Sequence, residues 1–350
     1  MLRCLYVGQR LNDVHLRSLL FDESGHEIWL GSSPAYGVRT AVRRHQASVD
    51  LVIVDVGWPY FRLLEGAFLR VPAWVKQSFS IRERWNDTLA PLTDDARRNL
   101  SRVRRYKLSA RLVRSDASAD RFYDEMYVPH VRRRFGDAAV VDERHVVRSM
   151  CRRFGLLELQ ENGVPLGGTV LRERAATLDT LWDGFRAELD SAHISAAAGG
   201  LYYYSVLFAH EQGFERLDFG MSRGFLSDGV FRYKKKWGAR LDSGPEPLRV
   251  CFKARRWTPA VSAFFAAHPM LRHDEKGYAS RVLRAGQRPL DLAALRRIVE
   301  EHTMPGVHRV ELYSASGFEP EAARYALRVH GLELTDLRKS RNPGRDYTAT

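Results

Sequence analysis

Arg216-Leu217-Asp218-Phe219-Gly220-Met221-Ser222-Arg223, followed after a short loop by Phe231-Arg232-Tyr233-Lys234-Lys235-Lys236-Trp237-Gly238, decides how this chain is read. The first run alternates apolar and polar residues as a half-buried strand does, and glycine and serine then break the pattern. The second gathers three lysines between aromatic residues. Ammonium groups packed this closely repel one another, so an anion or a set of carbonyls belongs near them. The bland alternative is that Lys235 and Lys236 form a solvated face.

Outward from this stretch, the preceding segments follow a regular order. Strand-like runs at Gly155–Gln160, Leu166–Leu171 and Thr177–Trp182 come first, the first two joined by the hairpin signal Glu161-Asn162-Gly163. The small-residue stretch from Ser191 to Gly200 reads as a loop that opens a helix Leu201–Gln212, stopped by Gly213. Upstream lie helices at Glu143–Arg153 and about Ala119–Arg134, a strand Ala110–Val113, and a helix that Thr93 can cap, with Asp94 and Asp95 in its first turn. That helix is very basic, carrying Arg97, Arg98, Arg102, Arg104, Arg105 and Lys107 around a narrow stripe of Leu100 and Val103.

Residues 1–90 read as mixed α/β, with strands at Leu2–Val7, Glu27–Gly31 and Val49–Val56, the last ended by Gly57-Trp58-Pro59. The C-terminal part predicts a helix Leu290–Glu301, a strand His308–Ser314, a helix Glu319–Val329 and a strand Leu332–Leu337, with no finished core of its own. Residues 1–92 and 251–350 are therefore expected to complete one accessory domain, with 93–250 inserted as the other. A length of 350 residues suits two domains.

A net charge of +13 favours polyanionic partners such as phosphate-rich cofactors, RNA, anionic lipids or acidic glycans. Arginine dominates the basic residues, so the charge alone points only weakly to nucleic acid. Cys4, Cys151 and Cys251 have neither metal-site spacing nor the density of a disulfide scaffold, which fits a reducing cytoplasm. The opening Met1–Gly8 is too short an apolar run for a signal peptide and reads as a strand. No apolar run reaches about 18 residues. A soluble cytoplasmic protein without a metal is expected, with peripheral membrane contact still compatible.

The order Asn99-Leu100-Ser101-Arg102-Val103-Arg104-Arg105, the Gly163–Leu171 turn and strand, Gly199-Gly200, Leu217-Asp218-Phe219-Gly220 and Tyr233-Lys234-Lys235-Lys236-Trp237-Gly238 resembles the GNAT acyltransferase superfamily, in its FemAB/CelD-like branch. The resemblance covers about residues 93–240. It implies an α/β (α+β) fold with a mixed, mostly antiparallel sheet flanked by helices, and two GNAT-like domains as in Fem ligases. It also implies direct attack of an amine on an acyl donor, held in a cleft where two central strands splay apart.

On that resemblance the co-substrate is an acyl-CoA, or an aminoacyl-tRNA as in Fem ligases. Ala198, Gly199, Gly200 and Leu201 would offer backbone N–H groups at a helix start to its phosphate, although glycines there also suit tight packing and the usual spaced-glycine loop is missing. Asp218 or Asp183 can act as base, and the sequence does not rank them; Asp218 can equally cap a loop or pair with Arg223. Lys234 matches the family lysine and would neutralise a phosphate or oxyanion, with Tyr233 as a possible proton donor. Trp182, Ser222, Arg223 and Trp237 are candidate substrate contacts, with core packing the alternative for Tyr233 and Trp237. The basic segment Arg97–Lys107 can hold tRNA or remain a solvated face.

The expected function is an N-acyltransferase acting on an amine of a cell-envelope or polysaccharide precursor, small-molecule, glycan or peptide. The alternatives are an aminoacyl-tRNA-dependent peptidyltransferase and a non-catalytic protein that binds a nucleotide or polysaccharide in such a pathway.

Overall fold

The computed structural model describes residues 1–21, 25–57, 60–64, 68–136, 139–244 and 248–348. The chain divides into two compact units, one of Met1–Val75, Ser222–Arg232 and Leu241–Thr350, the other of Lys76–Met221 and Tyr233–Arg240. The boundaries therefore differ from those expected at 92/93 and 250/251. Residues 76–92 go with the second unit, while 222–232 bring Phe225, Leu226 and Phe231 to the core of the first.

The first unit begins with β1 (Cys4–Gly8), a helix Arg10–Leu20, β2 (Leu51–Gly57) and β3 (Leu69–Pro72). Strands β1 and β2 run parallel, from Cys4 opposite Leu51 to Gly8 opposite Asp55. Leu51 to Asp55 are all buried, as befits a central strand covered on both faces. The strand expected at Glu27–Gly31 does not form. Ile28 and Trp29 are 80% and 73% exposed there, and a short extended segment without a partner strand cannot hold itself in a sheet. Trp58 and Pro59 lie outside the described residues.

The second unit is built on β4 (Val75–Ser80), β5 (Leu108–Val113), β6 (Leu156–Glu161), β7 (Val164–Arg174), β8 (Thr177–Phe185), β9 (Arg216–Ser222) and β10 (Arg240–Leu241), in the order β10-β4-β9-β8-β7-β6-β5. Strands β5 to β8 form an antiparallel meander. Its β6–β7 turn has Asn162 and Gly163 both left-handed, at φ 49° and 81°, the geometry that Asn-Gly tolerates best. Alternate residues face opposite sides. Leu157 and Leu171 pack with the helices Asp94–Arg105 and Ser191–Glu211; Leu156 and Val170 pack with Phe122, Met126, Val147 and Cys151. Thr93 caps Asp94–Arg105 by accepting from the Ala96 N–H. The helix expected over Ala119–Arg134 is interrupted by a widened π-helical segment, Phe122–Tyr127.

Back in the first unit, β11 (Leu248–Ala254) lies antiparallel between β2 and β3. A further sheet orders β12 (Met270–Asp274), β13 (Gly277–Arg284), β14 (Val307–Ser314) and β15 (Leu332–Asp336) in sequence. One face of this C-terminal part packs within itself through Val282, Leu290, Leu295, Val310, Leu312 and Ala322, while Met270, Leu283, Tyr313 and Leu337 join Leu16, Leu51 and Phe252 in a core shared with the N-terminal part. Arg281 and Glu311 pair beside it, both buried. No helix among the described residues is long and apolar enough to cross a membrane.

Candidate active site

Strands β8 and β9 are paired in parallel only at Thr177–Arg216, Leu178–Leu217 and Asp179–Asp218, although β8 continues to Phe185 and β9 to Ser222. Beyond those three pairs the strands part. Three contacts at the fork explain why. Gly220 turns through φ +72°, a conformation that suits glycine. Thr180 Oγ1 donates to the Asp218 carbonyl at 3.1 Å. The buried Lys234 ammonium then takes the carbonyls of Gly220 at 3.0 Å and Met221 at 2.8 Å. Backbone acceptors at the end of a strand need partners, and here a side chain supplies them where the ladder stops.

Asp183 is the carboxylate of this opening. It is exposed to solvent yet closely surrounded by protein atoms, as a group on the floor of a cleft would be. Surface exposure decides its access to a ligand, and the crowding decides its acidity. Desolvation raises its pKa above the ordinary carboxylate value, against the opposing pull of Thr169, Lys234 and Arg134. Thr169 is its register partner on β7. The negative charge of Asp183 is felt by two tyrosines, Tyr202 and Tyr233, whose pKa values are raised first by burial and then by Asp183.

Those tyrosines sit in an aromatic nest. Tyr202 stacks on Phe219 at 4.4 Å, meets Tyr233 edge-on at 4.9 Å and lies 5.5 Å from Trp237. Tyr233 Oη lies beside Trp237 Nε1 and Asn99 Nδ2 without aligned hydrogen-bond geometry to either. Both neighbours are donors, so the phenol oxygen faces hydrogens and its own proton points elsewhere. Lys236 stands 4.6 Å over the Tyr233 ring, so it is not simply a solvated lysine.

Several expected site residues take other roles. Asp218 is buried and engaged. Its carboxylate meets Lys76 at 2.5 Å and Arg174 at 3.8 Å, and accepts from the Gly220 N–H at 2.8 Å. Strand alternation also turns it away from Phe219 and the aromatic nest. It braces the fork and is badly placed to be a base. Ala198, Gly199, Gly200 and Leu201 are interior to the helix Ser191–Glu211, so their N–H groups are spent on helical bonds and cannot cradle a phosphate. A Cβ at Gly199 would lie 3.0 Å from Asn99 Cβ, and one at Gly200 3.0 Å from a Leu159 methyl. The glycines permit packing.

The true start of that helix is capped by Asp190, which accepts from the His193 N–H at 2.8 Å. That bond draws the Asp190 pKa down, so a negative charge already occupies the helix mouth. Trp182 points to the other face of β8, donating from Nε1 to Asp142 at 2.7 Å. Trp237 is fully buried. Ser222 and Arg223 belong to the first unit.

The structure therefore brings Asp183, Tyr233 and Lys234 together and adds Tyr202, Thr169 and Asn99, which the sequence reading did not select. Tyr202 belongs to the run Tyr202-Tyr203-Tyr204 on the helix Ser191–Glu211, where sequence alone does not show which ring faces the cleft. Asn99 stands in the run Asn99–Arg105, where nothing local signals that it reaches Tyr233. Among the described residues, no group of three or more His, Cys, Asp or Glu side chains is placed to hold a metal ion.

No protein-family model matches the sequence, and no curated protein matches it. Among solved structures the chain is similar to FemX, at 13% identity over 70% of this chain and 79% of that one, with a TM-score of 0.40. It is similar to L-PGS from Bacillus licheniformis at 12% identity over 65% and 77%, with a TM-score of 0.38. A tandem GNAT protein from the clavulanic acid biosynthesis pathway is similar at 14% identity over 62% and 66%, with a TM-score of 0.29. The fold class seen in the second unit, a mixed and mostly antiparallel sheet with helices on both faces, is the one expected.

Proposed function

We propose that the protein is an N-acyltransferase that moves an acyl group from a thioester to an amine in the cleft between β8 and β9. The observation that carries this reading is the parting of the two strands beyond Asp179 and Asp218, with Asp183 exposed on the floor. An extended acyl arm laid in the fork would meet the strand edge of β8 that β9 no longer covers. The amine nitrogen attacks the thioester carbonyl carbon, and Asp183 takes the proton the nitrogen gives up. The carbon–sulfur bond then breaks, and the proton held by Asp183 passes to the departing thiolate, which returns the site to its starting state. Lys234 holds the fork open by binding the Gly220 and Met221 carbonyls. An amine on a cell-envelope or polysaccharide precursor is the acceptor class the sequence resemblance implies.

One observation favours a second donor. Asp190 places a carboxylate at the start of the helix Ser191–Glu211, and like charge opposes the binding of a CoA phosphate there. The helix Asp94–Arg105 meanwhile exposes Arg98, Arg104 and Arg105. An aminoacyl-tRNA would use that basic face and the same cleft chemistry, with an ester in place of the thioester.

Purified protein supplied with acetyl-CoA or longer acyl-CoAs and a panel of amino sugars should release free thiol. Asp183→Asn should suppress the release. Charged tRNA in place of the thioester, followed by transfer of the labelled aminoacyl group, tests the second donor. A protein that turns over neither donor, or that works equally well as Asp183→Asn, ends the reading and leaves a non-catalytic binder.

A further inference from the structure

We propose that the first unit carries a separate binding site at the carboxyl ends of β1 and β2, built to take a small phosphorylated sugar. Gly8, the last residue of β1, is the register partner of Asp55, two residues before β2 ends at Gly57. The helix Arg10–Leu20 begins directly after β1, and its N-cap, Gln9, makes no side-chain cap bond. A helix start of this kind has unsatisfied N–H groups and partial positive charge, which favour a phosphate. The carboxyl ends of parallel strands are where α/β proteins commonly bind ligands.

A second observation points independently to an anion. Arg223 is 93% removed from solvent, and neither of its terminal nitrogens has a hydrogen-bond partner among the described residues. Its guanidinium is fixed flat on Trp74, with Cζ 3.7 Å from the ring centroid. Burial works against its charge, and the groups that support the charge are Asp55, Asp228 and Tyr6. Tyr6 Oη in turn lies 3.2 Å from both the Gln9 carbonyl and Asp55 Oδ2, so its one proton is shared between them. Arg223 is thus in electrostatic reach of Asp55 and of Tyr6, whose hydroxyl touches the Gln9 carbonyl, yet among the described residues it pairs with no carboxylate. A buried guanidinium left this way is costly unless an oxyanion meets its fork. The hydroxyls of Ser222 and Ser227, on the same segment as Arg223, are also without hydrogen-bond partners among the described residues.

The ligand class follows from the mixture of charges. A bare anion would satisfy Arg223 and the helix start but would meet the carboxylate of Asp55. A phosphate with hydroxyls beside it satisfies all three, with the hydroxyls donating to Asp55. A dinucleotide fits less well. The turn Gly8-Gln9-Arg10-Leu11-Asn12 lacks spaced glycines, and Gly8 is itself crowded by Tyr6, whose Oη would lie 2.5 Å from a Cβ.

The test measures binding alone, on the whole chain and without an acyl donor, so it stands or falls apart from the transferase reading. Thermal shifts and calorimetry are run with inorganic phosphate, ribose 5-phosphate and ribose. Phosphate should raise Tm, ribose 5-phosphate should bind at least about 10-fold tighter than phosphate, and ribose should do nothing. Arg223→Met should abolish both shifts, and Asp55→Asn should remove only the advantage of the sugar. If Arg223→Met does not fold, Arg223→Lys keeps the charge but loses the fork, and should bind about 10-fold more weakly. Absence of any shift, or shifts unchanged in the Arg223 variants, overturns the site. Equal binding of phosphate and ribose 5-phosphate overturns the sugar assignment.

Discussion

Asp183 and Asp218 lie near the same fork, and their surroundings divide the work between them. Asp183 is exposed with a raised pKa; Asp218 is buried with three partners. Asp183→Asn is expected to lower kcat/KM by about 10²- to 10⁴-fold, the usual worth of a general base, while leaving the fold intact. Its pH dependence has a definite sign. The base must be ionised, so kcat/KM falls as pH drops through the raised pKa, and this acid limb should vanish in the variant. The folded state also holds the proton more tightly than the unfolded state. Stability at Asp183 is therefore greatest at low pH and is lost as pH rises from the unfolded pKa through the folded one. Asp183→Asn should accordingly raise Tm at neutral pH. Asp218→Ala should do the reverse, costing about 1–3 kcal/mol in denaturant titrations because it strips the Gly220 N–H and leaves Lys76 without its carboxylate. The sequence showed both carboxylates and gave no means of ranking them, since burial and ion pairing come from residues far along the chain.

Local sequence signals settle an element where only short-range chemistry is involved. The Asn162-Gly163 hairpin and the Thr93 cap are examples, because left-handed backbone and a capping hydroxyl depend on neighbours in sequence. The helix Ser191–Glu211 starts ten residues before the expected Leu201, because the run Ala196–Gly200 looks like a loop by composition. Packing of Gly199 on Asn99 and of Gly200 on Leu159 and Leu108 outweighs the poor helix propensity of glycine. The close approach of β8 to the segment Phe122–Tyr127 depends in the same way on Gly184. A Cβ there would come within 2.7–2.8 Å of the Met126 and Tyr127 backbone. Gly184→Ala should therefore destabilise by about 1–3 kcal/mol, seen as a lowered melting temperature, since backbone cannot rotate aside. Lys234→Met should keep the bulk of the side chain while leaving the Gly220 and Met221 carbonyls without their donor. Activity and stability should fall together in that variant, and an active, fully stable Lys234→Met would refute the fork-holding role.

For the whole molecule, the charge of +13 bears on the choice of donor. If tRNA binds the basic helix, log K should fall linearly with log salt concentration, losing about 10³-fold or more between 50 and 200 mM if six or more phosphates are contacted. Replacing Arg104 and Arg105 with Glu should flatten that slope in filter-binding or anisotropy titrations. Affinity that ignores salt would remove the tRNA reading. The alternation, turns and caps of most elements, the basic helix and the mixed α/β class follow from residues close together in the chain and are legible there. Tertiary structure alone decided where the units divide, which aspartate faces a ligand, and that Gly199 and Gly200 pack inside a helix. Those outcomes depend on which distant side chains surround a group, and so on the desolvation and pairing that no local pattern encodes.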